Sequence, residues 1–167
     1  ILVVGSEVHS TGLDLSTRGR DVTVIFGDGA GAAVLEQTEG ESRILDTELH
    51  ADGRYAEMLM AEAPASRVNP RLSVEMLEAG RQFPKMDGKA VFKQAVEKLP
   101  EVIHSVLRRN GVALADIALL VPHQANLRIN EMVARQLNFP FEKVYNNIQR
   151  YGNTTAASIP IALHEAV

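Results

Sequence analysis

The succession of one apolar run and one amphipathic helix across residues 117–137 constrains this chain more than any other feature. Ile117-Ala118-Leu119-Leu120-Val121 is apolar without interruption and is stopped by Pro122. Such a run fits a strand covered on both faces, as in parallel sheets flanked by helices. Immediately afterwards, residues 124–137 bring Leu127, Met132, Val133 and Leu137 to one face at helical spacing. The pattern continues on both sides. Upstream, Val91, Phe92, Ala95, Val96 and Leu99, then Val102, Ile103, Val106 and Leu107, predict helix from Gly88 to Asn110-Gly111. Pro100 within it predicts a kink or a fresh start. Downstream, Val144-Tyr145 reads as a short strand. Residues 154–167 read as a small-residue helix, apolar nearly all round and therefore expected to be buried. Alternation of this kind calls for a layered α/β fold with parallel pairs.

The first half reads differently. Residues 1–5, Ile-Leu-Val-Val-Gly, form a buried-type strand that starts abruptly, which suggests that an upstream part is missing. Residues 13–21 read as a polar loop, and 22–26 as a second strand rich in β-branched residues. Gly27-Asp28-Gly29-Ala30-Gly31 reads as a tight strand-to-strand turn where backbones approach closely. Residues 32–35 and 43–49 read as further strands, with a turn at Glu39-Gly40-Glu41. Residues 51–86 contain Pro64, Pro70 and Pro84 and little periodicity, and read as an irregular insertion of loops and short elements. Three units follow: 1–50, 51–86 and 87–167.

Composition removes several functional classes. There is no cysteine, so no thiolate nucleophile or cysteine metal site comes from these 167 residues. The histidines at 9, 50, 104, 123 and 164 lack metal-ligand spacing, and no metal is expected. The net charge of −4 argues against nucleic-acid binding. No apolar run is long enough to span a bilayer, and the opening residues lack the pattern of a signal peptide. Charge is uneven: residues 1–65 carry 12 acidic and 4 basic side chains, and residues 66–167 carry 9 and 13. The basic part suits an acidic partner or a phosphorylated ligand, or is simply a solvated face.

Two polar residues stand where chemistry is plausible. His123 follows the end of the run 117–121, and open α/β sheets bind ligands beyond the carboxyl ends of their strands. It serves there either as a hydrogen-bond donor or acid/base, or as a structural cap of the next helix. Asn153 follows Tyr151-Gly152 and precedes Thr154-Thr155. It reads either as a helix N-cap or as an amide donor aimed into a site. Gly27–Gly31 lacks the Lys-Ser/Thr of a phosphate loop and the spacing of a dinucleotide fingerprint.

Taken in order, Phe26-Gly27-Asp28-Gly29-Ala30-Gly31-Ala32, Val91-Phe92-Lys93, Pro122-His123-Gln124-Ala125-Asn126-Leu127-Arg128 and Tyr151-Gly152-Asn153-Thr154-Thr155-Ala156-Ala157-Ser158 resemble the β-ketoacyl-acyl carrier protein synthase III family. The resemblance runs from residue 1 to residue 167 and is weakest over 51–86. It implies a thiolase-like fold, mostly the second (C-terminal) half, layered α/β with a mixed sheet. On this reading residues 1–50 close the first thiolase half, and the chain is an internal fragment of a longer condensing enzyme. The family uses a Cys-His-Asn triad, whose His matches His123 and whose Asn matches Asn153; the Cys lies upstream of residue 1. The implied reaction is the decarboxylative condensation of acyl-CoA, with acetyl-CoA expected, and malonyl-acyl carrier protein. It needs no cofactor beyond the CoA thioester substrate.

The resemblance also assigns Arg20 to stacking on the CoA adenine, although the family's neighbouring Gly is Asp21 here. Phe92, Ala125 and Asn126 are assigned to the pantetheine channel. Lys89 stands where the family often has an Asn for a pantetheine contact. Lys93 and Arg128 are assigned to docking of the acidic carrier protein. A homodimer in the cytoplasm is implied. The alternatives are a related condensing enzyme of polyketide or other secondary metabolism, and a catalytically inactive partner subunit of the same fold.

Overall fold

The computed structural model describes residues 1–167. Four short strands and six helices follow in the order β1 (Leu2–Glu7), α1 (Arg20–Thr23), β2 (Gly29–Val34), β3 (Leu59–Ala61), α2 (Val74–Glu78), β4 (Pro84–Met86), α3 (Gly88–Arg109), α4 (Leu127–Leu137), α5 (Ile148–Tyr151) and α6 (Ser158–Ala166), with 3₁₀ turns between them. β1 and β2 form an antiparallel ribbon in which Leu2 faces Val34 and Gly5 faces Gly31. β3 and β4 form a second antiparallel ribbon. Single parallel bridges join Phe26 to Asn153 and Leu120 to Val144, so both strand orientations occur.

The core lies in the second half. Ile129, Val133, Ala134 and Leu137 of α4 bury themselves with Phe139 and Val144. Phe92, Ala95, Val96 and Ile103 of α3 pack against that cluster, together with Leu114, Ile117 and Leu120. This is the periodic stripe read from the sequence, with one change: Leu127, at the first position of α4, is exposed, and Ile129 takes an inward place. α4 starts at Leu127 because the Asn126 side chain accepts the Arg128 N–H at 2.9 Å. It ends at Asn138, which adopts the left-handed conformation (φ 54°). α3 runs through Pro100 without a break, so the expected kink or restart does not divide it. Asn110 and Gly111 close it, as read.

Several expectations are corrected. Residues 22–26 are not a strand. Asp14, buried, accepts the Ser16 N–H at 3.0 Å and the Arg18 Nε–H at 2.5 Å, while the Thr23 hydroxyl donates to the Asp14 carbonyl at 2.7 Å. These local bonds wind residues 17–23 into helical turns against the β preference of Val22, Thr23 and Val24. Residues 43–49 form no strand either. Asp46 and Glu48 bind the Arg109 guanidinium at 2.6 and 2.9 Å, and Asp46 also accepts from Asn110, so side chains rather than a ladder hold this segment to the end of α3. Residues 117–121 contribute one bridge, in which the Leu120 N–H donates to the Lys143 carbonyl and the Leu120 carbonyl accepts the Tyr145 N–H, not a full strand.

Gly29–Gly31 belongs to β2 rather than to a turn. The close approach read from its glycines does occur: a Cβ on Gly31 would stand 2.8 Å from Pro160 Cβ of α6, and one on Gly5 would overlap the Ala156 carbonyl. β1 is not buried, with Leu2 65% exposed. α6 buries only Ser158 and Ala162, and leaves Leu163 44% exposed. Residues 51–86 are loops and short elements as expected.

Candidate active site

His123 sits in the loop between the Leu120 bridge and α4, and Gln124 fixes that loop. Fully buried, Gln124 uses its whole amide: Nε2 donates to the Pro122 and Tyr145 carbonyls at 2.9 and 3.2 Å. Its Oε1 accepts the Asn147 and Ile148 N–H groups at 2.9 and 3.2 Å. A buried amide saturated in this way ties the His123 loop to the start of α5 at no desolvation penalty.

Asn153 is fixed from the other side. Its N–H donates to Ile25 O at 2.9 Å, and its carbonyl accepts the Gly27 N–H at 3.0 Å. A Cβ on Gly27 would lie 2.0 Å from the Tyr151 carbonyl, so only glycine lets the two segments meet there. Gly152 (φ 68°) turns the chain into this bridge through a conformation that glycine adopts readily. Glu165 locks the preceding turn by accepting from Tyr145 Oη, Asn147 Nδ2, Arg150 and Tyr151 Oη. Those donors hold the Glu165 carboxyl below the usual range, and the Glu165 carboxylate in turn raises the Tyr151 phenol.

A run of close polar contacts links the two candidate residues. The Asn153 Oδ1 accepts the Thr155 N–H at 2.9 Å. The Thr155 carbonyl lies 2.9 Å from Ser158 Oγ, and Ser158 Oγ lies 2.5 Å from His123 Nδ1. With Oδ1 engaged, the Asn153 amide has its Nδ2 left to donate. Thr155 occupies the left-handed region (φ 47°), a conformation that costs a β-branched residue on the order of 1–3 kcal/mol. Asn153 and His9 hold it there, the latter through His9 Nε2 and Thr155 Oγ1 at 2.6 Å. The His9 ring packs against Phe26 at 4.7 Å between centroids. The protein packed on the inner side of His123 lowers its pKa from the usual histidine value and favours the neutral ring.

The structure links His123 and Asn153 through Ser158 and Thr155, and adds Gln124 and His9; sequence reasoning assigned none of these four added residues a role. The one available signal was Ser158 at i+3 from Thr155, a spacing that lets a serine hydroxyl reach back to a carbonyl at a helix start. The remaining predicted residues lie elsewhere. Phe92 and Ala125 pack against the α4 core. Asn126 caps α4. Lys93 on α3 and Arg128 in the first turn of α4 are exposed and make no ion pair, and Arg20 is exposed at the start of α1.

Comparison with known proteins gives consistent matches. Residues 1–53 match the family described as 3-oxoacyl-[acyl-carrier-protein (ACP)] synthase III, and residues 107–167 match the C-terminal unit of that family. The chain is 43% identical over 167 residues to the beta-ketoacyl-[acyl-carrier-protein] synthase III of Aquifex aeolicus, covering all of this chain and 48% of that protein. It is 45% identical over 166 residues to the protein of the same name from Escherichia coli, covering 99% and 49%. The crystal structure of the Aquifex aeolicus synthase superposes with a TM-score of 0.84 at 44% identity, over 99% of this chain and 47% of that one. The chain thus spans about half the length of the curated relatives it matches.

Proposed function

The chain belongs to the 3-oxoacyl-[acyl-carrier-protein] synthase III family, and from that premise we propose that the full-length protein carrying it condenses acetyl-CoA with malonyl-acyl carrier protein to start fatty acid synthesis. A cysteine outside these 167 residues takes the acetyl group from CoA. Malonyl-acyl carrier protein then loses CO₂. The resulting enolate carbon attacks the acetyl thioester, the cysteine thiolate leaves, and a 3-oxoacyl-acyl carrier protein forms. During decarboxylation negative charge gathers on the malonyl thioester oxygen. His123 and Asn153 donate to that oxygen, so each stabilises a charge that is absent from the ground state.

The observation that carries this reading is the run of close polar contacts from Asn153 through Thr155 and Ser158 to His123, which ties both side chains to the segment Thr155–Ser158. Phe92 and Ala125 border the pantetheine path in this reading, and Asn126 shapes it by starting α4. Arg20 stacks on the CoA adenine. Lys93 and Arg128, exposed and unpaired, steer the acidic carrier protein into place, an effect on encounter rate that salt weakens. The working form is a cytoplasmic homodimer, and the reaction uses no resident cofactor. No helix of the chain is long and apolar enough to cross a membrane.

The test separates the two half-reactions. In the full-length protein, His123→Ala and Asn153→Ala should each lower malonyl-acyl carrier protein decarboxylation by about 100- to 1000-fold, with transfer of acetyl to the cysteine largely kept. A variant that no longer takes up acetyl but still decarboxylates would overturn the assignment.

A further inference from the structure

A neutral imidazole carries one ring proton, and the position of that proton decides what His123 offers. With the proton on Nε2, the ring donates from Nε2; with the proton on Nδ1, Nε2 is a bare lone pair that can only accept. The one group within hydrogen-bond distance of Nδ1 is the Ser158 hydroxyl, at 2.5 Å. That hydroxyl is buried, at the first position of α6, and has a single proton to give.

Three neighbours surround Ser158 Oγ. The Gln124 N–H points at it from 3.4 Å and can only donate. The Thr155 carbonyl, at 2.9 Å, can only accept. His123 Nδ1 can do either. The Thr155 carbonyl already receives the backbone N–H of Ser158 itself, so it is not orphaned when the hydroxyl turns away. Nδ1 has no such second partner. A hydroxyl turned toward His123 therefore satisfies every group: Oγ accepts from Gln124 and donates to Nδ1, and Nε2 carries the ring proton. Turned toward Thr155, it forces the proton onto Nδ1 and strips Nε2 of its donor.

We propose that Ser158 is a positioning residue whose hydroxyl donates to Nδ1 and thereby sets His123 as an Nε2–H donor. The inference rests on the condensing function proposed above, since only a donor role for His123 needs this tautomer. Ser158 does not touch substrate in this scheme. It acts through the histidine, and the lowered pKa of His123 adds to the need for it, because a ring kept neutral cannot hold a proton on both nitrogens.

Ring-nitrogen NMR of the full-length protein, with histidine labelled in the heavy nitrogen isotope, reads the tautomer directly. His123 is assigned by its disappearance in His123→Gln. The expected wild-type spectrum has a protonated Nε2 and an Nδ1 that accepts a hydrogen bond. In Ser158→Ala the Nδ1 signal should move to the position of an unbonded nitrogen. Decarboxylation should fall about tenfold, as for loss of one supporting hydrogen bond, while acetyl transfer to the cysteine is unchanged. Ser158→Thr, which keeps the hydroxyl, should restore both readouts. A wild-type ring protonated on Nδ1 would overturn the proposal, as would a Ser158→Ala spectrum and decarboxylation rate identical to wild type. If the wild-type protein shows the expected tautomer but does not condense, the condensing function falls and the assignment of Ser158 to the tautomer stands.

Discussion

The two halves of the molecule are held together by different forces. From Pro100 onward, buried apolar side chains of α4 and its neighbours form a contiguous core against α3. Before residue 87, Ala63 is the one buried apolar residue, and the structure is kept by polar side chains placed at chain reversals. Asp14 gathers Ser16, Arg18 and Thr23; Asp28 receives the Ser10 N–H and hydroxyl; Asp46 grips Arg109; Asp52 grips Arg54. An apolar core loses stability when volume is removed, whereas carboxylate clasps loosen when charge is removed. The contrast also explains where the candidate site sits: His123 hangs on the core side, Asn153 is pinned to the ribbon side by residues 25–27, and Ser158 spans the two.

The contrast is broken most severely by emptying the core. Leu137→Ala should cost about 2–5 kcal/mol, read as a shift of the urea midpoint, because the side chain is buried among Ile129, Val133 and Phe139. A cost below about 0.5 kcal/mol, typical of a surface position, would show that no true core exists here. A smaller effect is expected where the halves meet. Gly31→Ala puts a Cβ 2.8 Å from Pro160 and should cost roughly 1–3 kcal/mol by overpacking β2 against α6. Amide exchange should speed up at Asn153 and Gly27 in this variant, while α4 stays protected. The mildest test uses acid. Ser16 and Arg18 lower the Asp14 carboxyl to about 2, and Arg109 with Asn110 does the same for Asp46. Because both values are depressed, their stabilisation is complete above pH ~4, the unfolded range for Asp, and is lost as pH falls through about 2. Limited acid proteolysis across that window should cut residues 13–23 and 43–50 first. Cleavage inside α4 at the same pH would remove the distinction between the halves.

The same division governs what the sequence discloses. α3 and α4 were readable because a core imposes a period: Val96, Ile103, Val133 and Leu137 recur at helical spacing since they face one another. The polar half offers no period. Val22 and Val24 argue for a strand by composition, yet the winding of their segment is decided by an aspartate eight to ten residues earlier, through bonds that no local pattern announces. The glycines of β2 predicted close approach correctly, because a missing Cβ is informative wherever it falls, but they were silent on whether the approaching element was a strand or a helix. His123 and Asn153 were visible as motif residues. Ser158 closes the same motif but had no assigned role, since a serine in a run of small residues looks like packing until His123, 35 residues away in sequence, is placed beside it.

Gln124 bears on how far this loop could be transplanted. Each of its four hydrogen-bonding positions is spoken for by a group on another segment or on its own loop, and all four of those partners, at Pro122, Tyr145, Asn147 and Ile148, are backbone groups. A designer who copied Pro122-His123-Gln124 onto another scaffold would import the histidine without its orientation. The graft would leave a buried amide with open valences, and the loop would relax until water filled them. Portability therefore belongs to a larger module, the loop together with the turn from Tyr145 to Ile148, whose peptide groups must stay where they are.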